Sequence, residues 1–190
     1  IQSFNSRHLK ALGRIHDGDE AMRAIEIARK NFSNFNLDLM FALPQQTLEE
    51  SARDLDLALG FEPTHLSLYH LTLEPNTYFA KYPPDIPDDD LSAQMQEHIQ
   101  DKMKAAGYHH YEVSAFAKPG FESRHNLNYW NFGDYLGIGA GAHSKISFPH
   151  RIIRQLRHKQ PKAFVDGAMM GNAVQESVEI QRGELPFEFM

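Results

Sequence analysis

The chain has 190 residues, 42% of them apolar and 23% charged, with a formal net charge of -6. These values suit a folded globular domain, although the length is short for a complete α/β barrel. No Lys/Arg block is long enough to track a phosphate backbone, which excludes nucleic acid as a partner class. The absence of cysteine excludes a disulfide scaffold, a thiolate zinc site, a cysteine nucleophile and self-supplied iron-sulfur ligation. No stretch approaches the length of an integral membrane segment and no signal-peptide pattern opens the chain, so a cytoplasmic location is expected.

The elements follow in chain order. Ala21, Ala24, Ile25 and Ala28 recur at helical spacing over 18–31, with Asp17 or Asp19 to cap the start and Arg29 and Lys30 suited to the end. Phe35 to Met40 reads as a strand. Thr47 with Glu50 three residues on forms a capping-box pattern, predicting a helix from Leu48 to about Leu59. A second strand is expected from His65 to Leu71. Helix and strand alternating through short connections predict βα units and a parallel sheet. The chemistry of such sheets gathers at the strand C-termini, here Asp38 to Pro44 and His70 to Glu74. Prolines in 82–90 mark a linker, after which a helix runs to about Ala106. A strand is expected over Tyr108–Phe116 and another near Tyr135–Ile138. Ile1 at one end, and Phe187, Glu188, Phe189 and Met190 at the other, read as borders cut within a longer protein.

Several residues could carry chemistry. Gly137, Gly139 and Gly141 resemble a phosphate-cradling loop, but the run lacks the G-x-G-x-x-G spacing and a strand-to-helix setting, so packing is the expected role. Arg151, Arg154, Arg157, His158, Lys159 and Lys162 form a basic patch whose simplest reading is a solvated face. His125, Asn126, Tyr129 and Trp130 place a candidate axial ligand, an amide and two large aromatics within six residues, a set able to take a flat, metal-centred ring; a hydrogen-bonded histidine beside aromatics is the competing reading. His109, His110 and His143 widen the choice of ligand. Gln2, Arg14 and Asp38 could meet a ligand bearing carboxylate, ammonium and hydroxyl groups, or serve as ordinary surface polar residues.

A set of ordered motifs spans nearly the whole chain. They are I-Q-S-F-N at 1–5, L-G-R at 12–14, N-L-D-L-M at 36–40, L-P-Q-Q-T at 43–47 and L-S-L-Y-H-L at 66–71. E-P-N-T at 74–77, Y-E-V-S-A-F-A at 111–117, H-N-L-N-Y-W at 125–130 and G-D-Y-L-G-I-G-A-G-A-H at 133–143 follow. Together they resemble the radical SAM family that contains oxygen-independent coproporphyrinogen III oxidases and HemW-type haem chaperones. The resemblance implies an α/β fold: the C-terminal half of a partial radical SAM (βα) barrel over 1–82, with an α+β extension over 83–190 that carries the H-N-x-x-Y-W motif.

By the same resemblance, Gln2, Arg14 and Asp38 match S-adenosylmethionine contacts, and Thr72 falls near a further one. His125, Asn126, Tyr129 and Trp130 match the haem-binding signature, with His125 as the ligand to haem iron. No catalytic residue is assigned, and the [4Fe-4S] cluster is expected only in the full-length parent. Two roles follow. One is a chaperone that delivers haem to respiratory haem proteins, favoured by H-N-x-x-Y-W. The alternative is coproporphyrinogen III oxidation in porphyrin biosynthesis. Two departures stand out: Ala42 and Ser144 occupy positions where the family commonly has Gly.

Overall fold

The computed structural model describes residues 1–186; the apolar ending Phe187, Glu188, Phe189 and Met190 lies outside the described residues. The chain divides into two compact units, Ile1–Glu122 and the part from Ser123 onward. Among the described residues no helix is long and apolar enough to cross a membrane.

The first unit holds α1 (Ser6–Ala11), α2 (Gly18–Asn31), β1 (Asn36–Phe41), α3 (Leu48–Gly60), β2 (His65–His70), α4 (Tyr78–Lys81), α5 (Asp89–Ala105), β3 (His109–His110) and β4 (Ala115–Ala117). Asp17 and Thr47 cap α2 and α3 in reciprocal capping boxes with Glu20 and Glu50, satisfying backbone donors that a helix start leaves unpaired. The sheet order is β1-β2-β4-β3, with β1 and β2 parallel.

β4 runs antiparallel to both its neighbours, so the sheet is mixed rather than wholly parallel. The strand expected over Tyr108–Phe116 is a hairpin: Tyr111 N donates to the Ala115 carbonyl and Ala115 N to that of Glu112, turning the chain back. Tyr108 is buried and its hydroxyl donates to the Pro63 carbonyl. The prolines of 82–90 do interrupt regular structure, yet the chain beyond them returns to pair with β2, which places α5 and the hairpin in the first unit.

One face of this sheet is apolar. Leu37, Leu39 and Phe41 alternate along β1, Leu66 and Leu68 along β2, and Phe116 lies opposite Leu66. Ile25, Leu55, Ala58, Met95, Ile99 and Met103 of α2, α3 and α5 join them in one core. Each buried large side chain contributes ~1.5–3 kcal/mol.

α1 is tied to α3 through Glu50. Besides closing the capping box, its carboxylate accepts from Arg7 Nη2 at 2.7 and 2.8 Å and lies 3.3 Å from Nε2 of the fully buried His8. Burial pushes this carboxyl upward, but the Thr47 N–H, Arg7 and His8 outweigh it and hold it below its usual range.

The second unit holds α6 (Arg124–Trp130), β5 (His143–Phe148), β6 (Arg151–Arg157), α7 (Pro161–Met169) and β7 (Val174–Glu179); its three strands form an antiparallel sheet in the order β5-β6-β7. The strand expected at Tyr135–Ile138 reduces to one bridge between Tyr135 and Lys145. The basic patch is no single stripe. Strand alternation sends Arg154 to the face of β6 opposite Arg151 and Arg157, while Lys162 pairs with Asp166 one turn along α7. Gly137 is a packing glycine as expected, since a Cβ there would lie 2.3 Å from the His143 carbonyl oxygen.

Ala42, 1% exposed, adopts φ +56° at the turn after β1, in the left-handed region that costs an L-residue about 1–2 kcal/mol. Ala42→Gly removes that strain and adds freedom to the unfolded chain. The expected outcome is a stability gain of about 0.5–1 kcal/mol, read from the urea midpoint; a loss would show that the buried methyl contact outweighs the strain.

Candidate functional site

The sheet face opposite the core is polar. Parallel register sets Asn36 beside His65 and Asp38 beside Ser67, and β4 offers only Ala117 and Ala115 as their counterparts across β2. His65 Nδ1 lies 2.6 Å from Asn36 Oδ1 and its Nε2 lies 2.6 Å from the Tyr111 hydroxyl. Ser67 Oγ also donates to Asn36 Oδ1, at 3.3 Å, and Asn36 Nδ2 donates to Asp38 Oδ1 at 2.7 Å. Burial pushes the His65 pKa down against the opposing charges of Glu112, Asp38 and Glu122.

Asp38 is the third residue of β1 and therefore stands on this polar face, not on the C-terminal rim where chain order placed it. Gln2 joins it from the flank: Gln2 N donates to the Asp38 carbonyl and Met40 N to the Gln2 carbonyl, both at 2.8 Å. Gln2 itself holds φ +69°, a strained conformation of the kind that gathers at functional sites. The segment is pinned from behind by buried Asp54, which accepts from Ser3 Oγ at 2.5 Å and from Phe4 N at 3.0 Å.

Arg14 is exposed and makes no salt bridge among the described residues. His16 Nε2 lies 3.3 Å from the Ile1 carbonyl oxygen, which ties the loop that carries Arg14 to the segment that carries Gln2. Thr72 follows β2 and lines a separate groove of about 580 Å³ with Lys10–Gly13, Glu74, Thr77, Tyr78 and Phe79. Gln2 and Asp38 thus meet at one edge of β1, while Arg14 follows Gly13, which lines the groove that holds Thr72. Paired hydroxyls, an ammonium and a carboxylate would find matching partners here.

The other four candidate residues lie on α6 in the second unit. Ser123 caps this helix, accepting from Asn126 N at 3.3 Å. The i,i+4 spacing sets His125 over Tyr129 and Asn126 over Trp130. The His125 and Tyr129 rings meet edge to face with centroids 4.9 Å apart, and Tyr129 continues onto Tyr135 at 4.8 Å. Tyr129 and Trp130 are each 47% exposed, and no described residue hydrogen-bonds the His125 ring nitrogens. Among the described residues no group of three or more metal-ligating side chains occurs; α6 offers a single histidine framed by aromatic rings.

Lys145, missed in the sequence, fixes the end of this helix. Its side chain is 3% exposed, donates to the Phe132 carbonyl at 2.8 Å and to Asp134 at 3.2 Å, and sits 3.8 Å from the Phe132 ring centroid. Its backbone exchanges two 3.0 Å hydrogen bonds with Tyr135. Buried Ser144 has a bonding role of its own: its hydroxyl accepts from Gly137 N at 2.8 Å.

No protein-family model matches the chain. It is 48% identical to the heme chaperone HemW of Escherichia coli (strain K12) over 191 residues, 100% of this chain and 50% of that protein. Identity to the heme chaperone HemW of Bacillus subtilis (strain 168) is 42% over 151 residues, 77% of this chain and 40% of the relative. In structure it resembles the radical SAM enzyme coproporphyrinogen III oxidase (HemN) from Escherichia coli, with a TM-score of 0.78 and 21% identity, covering 99% of this chain and 46% of that one. That likeness shows the fold: a mixed α/β portion of a radical SAM architecture. The chain spans about half the length of the curated relatives it matches.

Two outcomes follow from the geometry. An unfolded chain protonates its histidine near pH ~6.5, while buried His65 resists the proton, so its contribution to stability declines as pH falls below that point. The difference in unfolding free energy between wild type and His65→Gln is expected to shrink steadily from about pH 7 to about pH 5; a flat difference would contradict a depressed His65. Lys145→Met strips the Phe132 carbonyl of its buried donor and is expected to destabilise the second unit by about 1–3 kcal/mol, read as faster amide exchange in α6.

Proposed function

We propose a haem-binding role for this chain, which belongs to the family of HemW-type haem chaperones. The α6 face carries the reading. His125 presents ring nitrogens with no protein partner among the described residues, framed by Tyr129 at 4.9 Å and by the exposed Trp130 one residue on, which suits a flat, largely apolar macrocycle with one axial position to fill. In the full protein, His125 ligates the haem iron, Tyr129 and Trp130 pack on the ring, and Asn126 offers its amide to polar edge groups. The loaded protein then hands haem to respiratory haem proteins in the cytoplasm.

Gln2, Arg14, Asp38 and Thr72 hold S-adenosylmethionine in a supporting role. Arg14 pairs with the ligand carboxylate, Asp38 accepts from ribose hydroxyls or the ammonium, and the Gln2 amide and Thr72 hydroxyl supply further contacts. With no cysteine, these 190 residues do not fit a [4Fe-4S] cluster; one carried by the whole protein would take its thiolates from other residues. The likeness to coproporphyrinogen III oxidase, at 21% identity, concerns the fold and adds no support for porphyrinogen oxidation.

The test is a haem titration of the full-length protein followed by visible absorption, beside His125→Ala. A saturable Soret shift in the wild type that weakens at least about tenfold in the variant, the loss of ~1.4 kcal/mol or more, is expected. An unchanged shift in His125→Ala would remove His125 as the ligand, and no shift in either protein would remove haem.

A further inference from the structure

We infer that Tyr111, His65 and Asn36 form a directional hydrogen-bond relay that positions the Asp38 carboxylate for its ligand. The direction is set from the Asp38 end. A carboxylate accepts, so the Asn36 group 2.7 Å from Asp38 Oδ1 is the amide NH₂. That orientation turns Asn36 Oδ1, an acceptor, toward His65 Nδ1 at 2.6 Å, so Nδ1 carries the imidazole proton. In the neutral ring Nε2 is then an acceptor, filled by the Tyr111 hydroxyl at 2.6 Å. Ser67 supplies a second donor to Asn36 Oδ1.

Each group in the chain has one consistent role, and reversing any one of them sets two acceptors or two donors face to face. Burial, which disfavours the imidazolium, keeps His65 in the neutral form this scheme requires. The relay engages Oδ1 of Asp38, and no described residue donates a hydrogen bond to Oδ2, which is left for ligand hydroxyls or an ammonium. It also crosses the sheet, from β1 through β2 to the residue after β3. Tyr111 acts on Asp38 through two other side chains and is a positioning residue.

The inference rests on the reading of Asp38 as an S-adenosylmethionine contact, and the experiment separates the two. S-adenosylmethionine is titrated calorimetrically into the full-length protein, cluster reconstituted, as wild type, Asp38→Ala and Tyr111→Phe. Imidazole ¹⁵N resonances are recorded in parallel, with His65 assigned from its loss in His65→Gln. Removing the Tyr111 hydroxyl frees His65 to move its proton to Nε2 and Asn36 to flip its oxygen toward Asp38. Affinity is expected to fall about three- to tenfold in Tyr111→Phe, the range of one net hydrogen bond, with haem binding unchanged. In the double variant with Asp38→Ala, Tyr111→Phe should add nothing further.

His65 in the wild type should show a protonated Nδ1 and a bare Nε2, a pattern lost in Tyr111→Phe; a purely structural tyrosine would leave it unchanged. Wild-type affinity in Tyr111→Phe while Asp38→Ala abolishes binding, or a protonated Nε2 in the wild type, overturns the relay and leaves the ligand reading standing. If the wild type takes up no S-adenosylmethionine, the ligand reading fails and the positioning role falls with it.

Discussion

The parallel register of β1 with β2 is the constraint on which the first unit depends. Because side chains alternate at period two, one register decides two faces at once. It sets Leu37 beside Leu66 and Leu39 beside Leu68 for the core, and Asn36 beside His65 and Asp38 beside Ser67 for the polar network. A slip of one residue would send leucines to the polar face and the carboxylate into the core, where an unpaired charge is costly. The helices and the hairpin build on this pairing: α3 and α5 cover one face, and Tyr111 closes the chain of hydrogen bonds on the other.

Much of this organisation is legible in the sequence. The capping boxes at Asp17 and Thr47 mark their helix starts because their partners lie only three residues away. The strands at N-L-D-L-M-F and H-L-S-L-Y-H declare themselves by alternation, and the same alternation could have pointed to His65, Ser67 and Asn36, whose polar side chains occupy every second position. What alternation cannot give is the partner strand. Tyr111 reaches His65 across 46 positions, and the hairpin that delivers it is closed by two backbone hydrogen bonds with no sequence signature of their own.

The second unit is harder to read for a related reason. α6 is seven residues long, too short for a hydrophobic period to stand out, and its aromatic residues face outward. The stretch after it is held by single contacts in place of ladders: Lys145 on the Phe132 carbonyl, Ser144 on Gly137 N, Arg157 Nε on the Gly137 carbonyl at 3.3 Å. Gly137 accordingly serves close packing, with its carbonyl turned to an arginine. H-N-x-x-Y-W speaks through residue identity, and the helix gives those identities a common face.

The brevity of α6 also shapes how tightly it can hold anything. A helix of seven residues is far below the length at which helices persist unaided in water, so its order is borrowed from the Ser123 cap and the Lys145 clamp. Any molecule that grips His125 and Trp130 together must favour the helical state over the frayed one. Its apparent affinity therefore contains the cost of completing the helix, and occupancy and local order rise together. Loosening one turn of helix would therefore be enough to weaken such a grip, without any need for the rest of the unit to move.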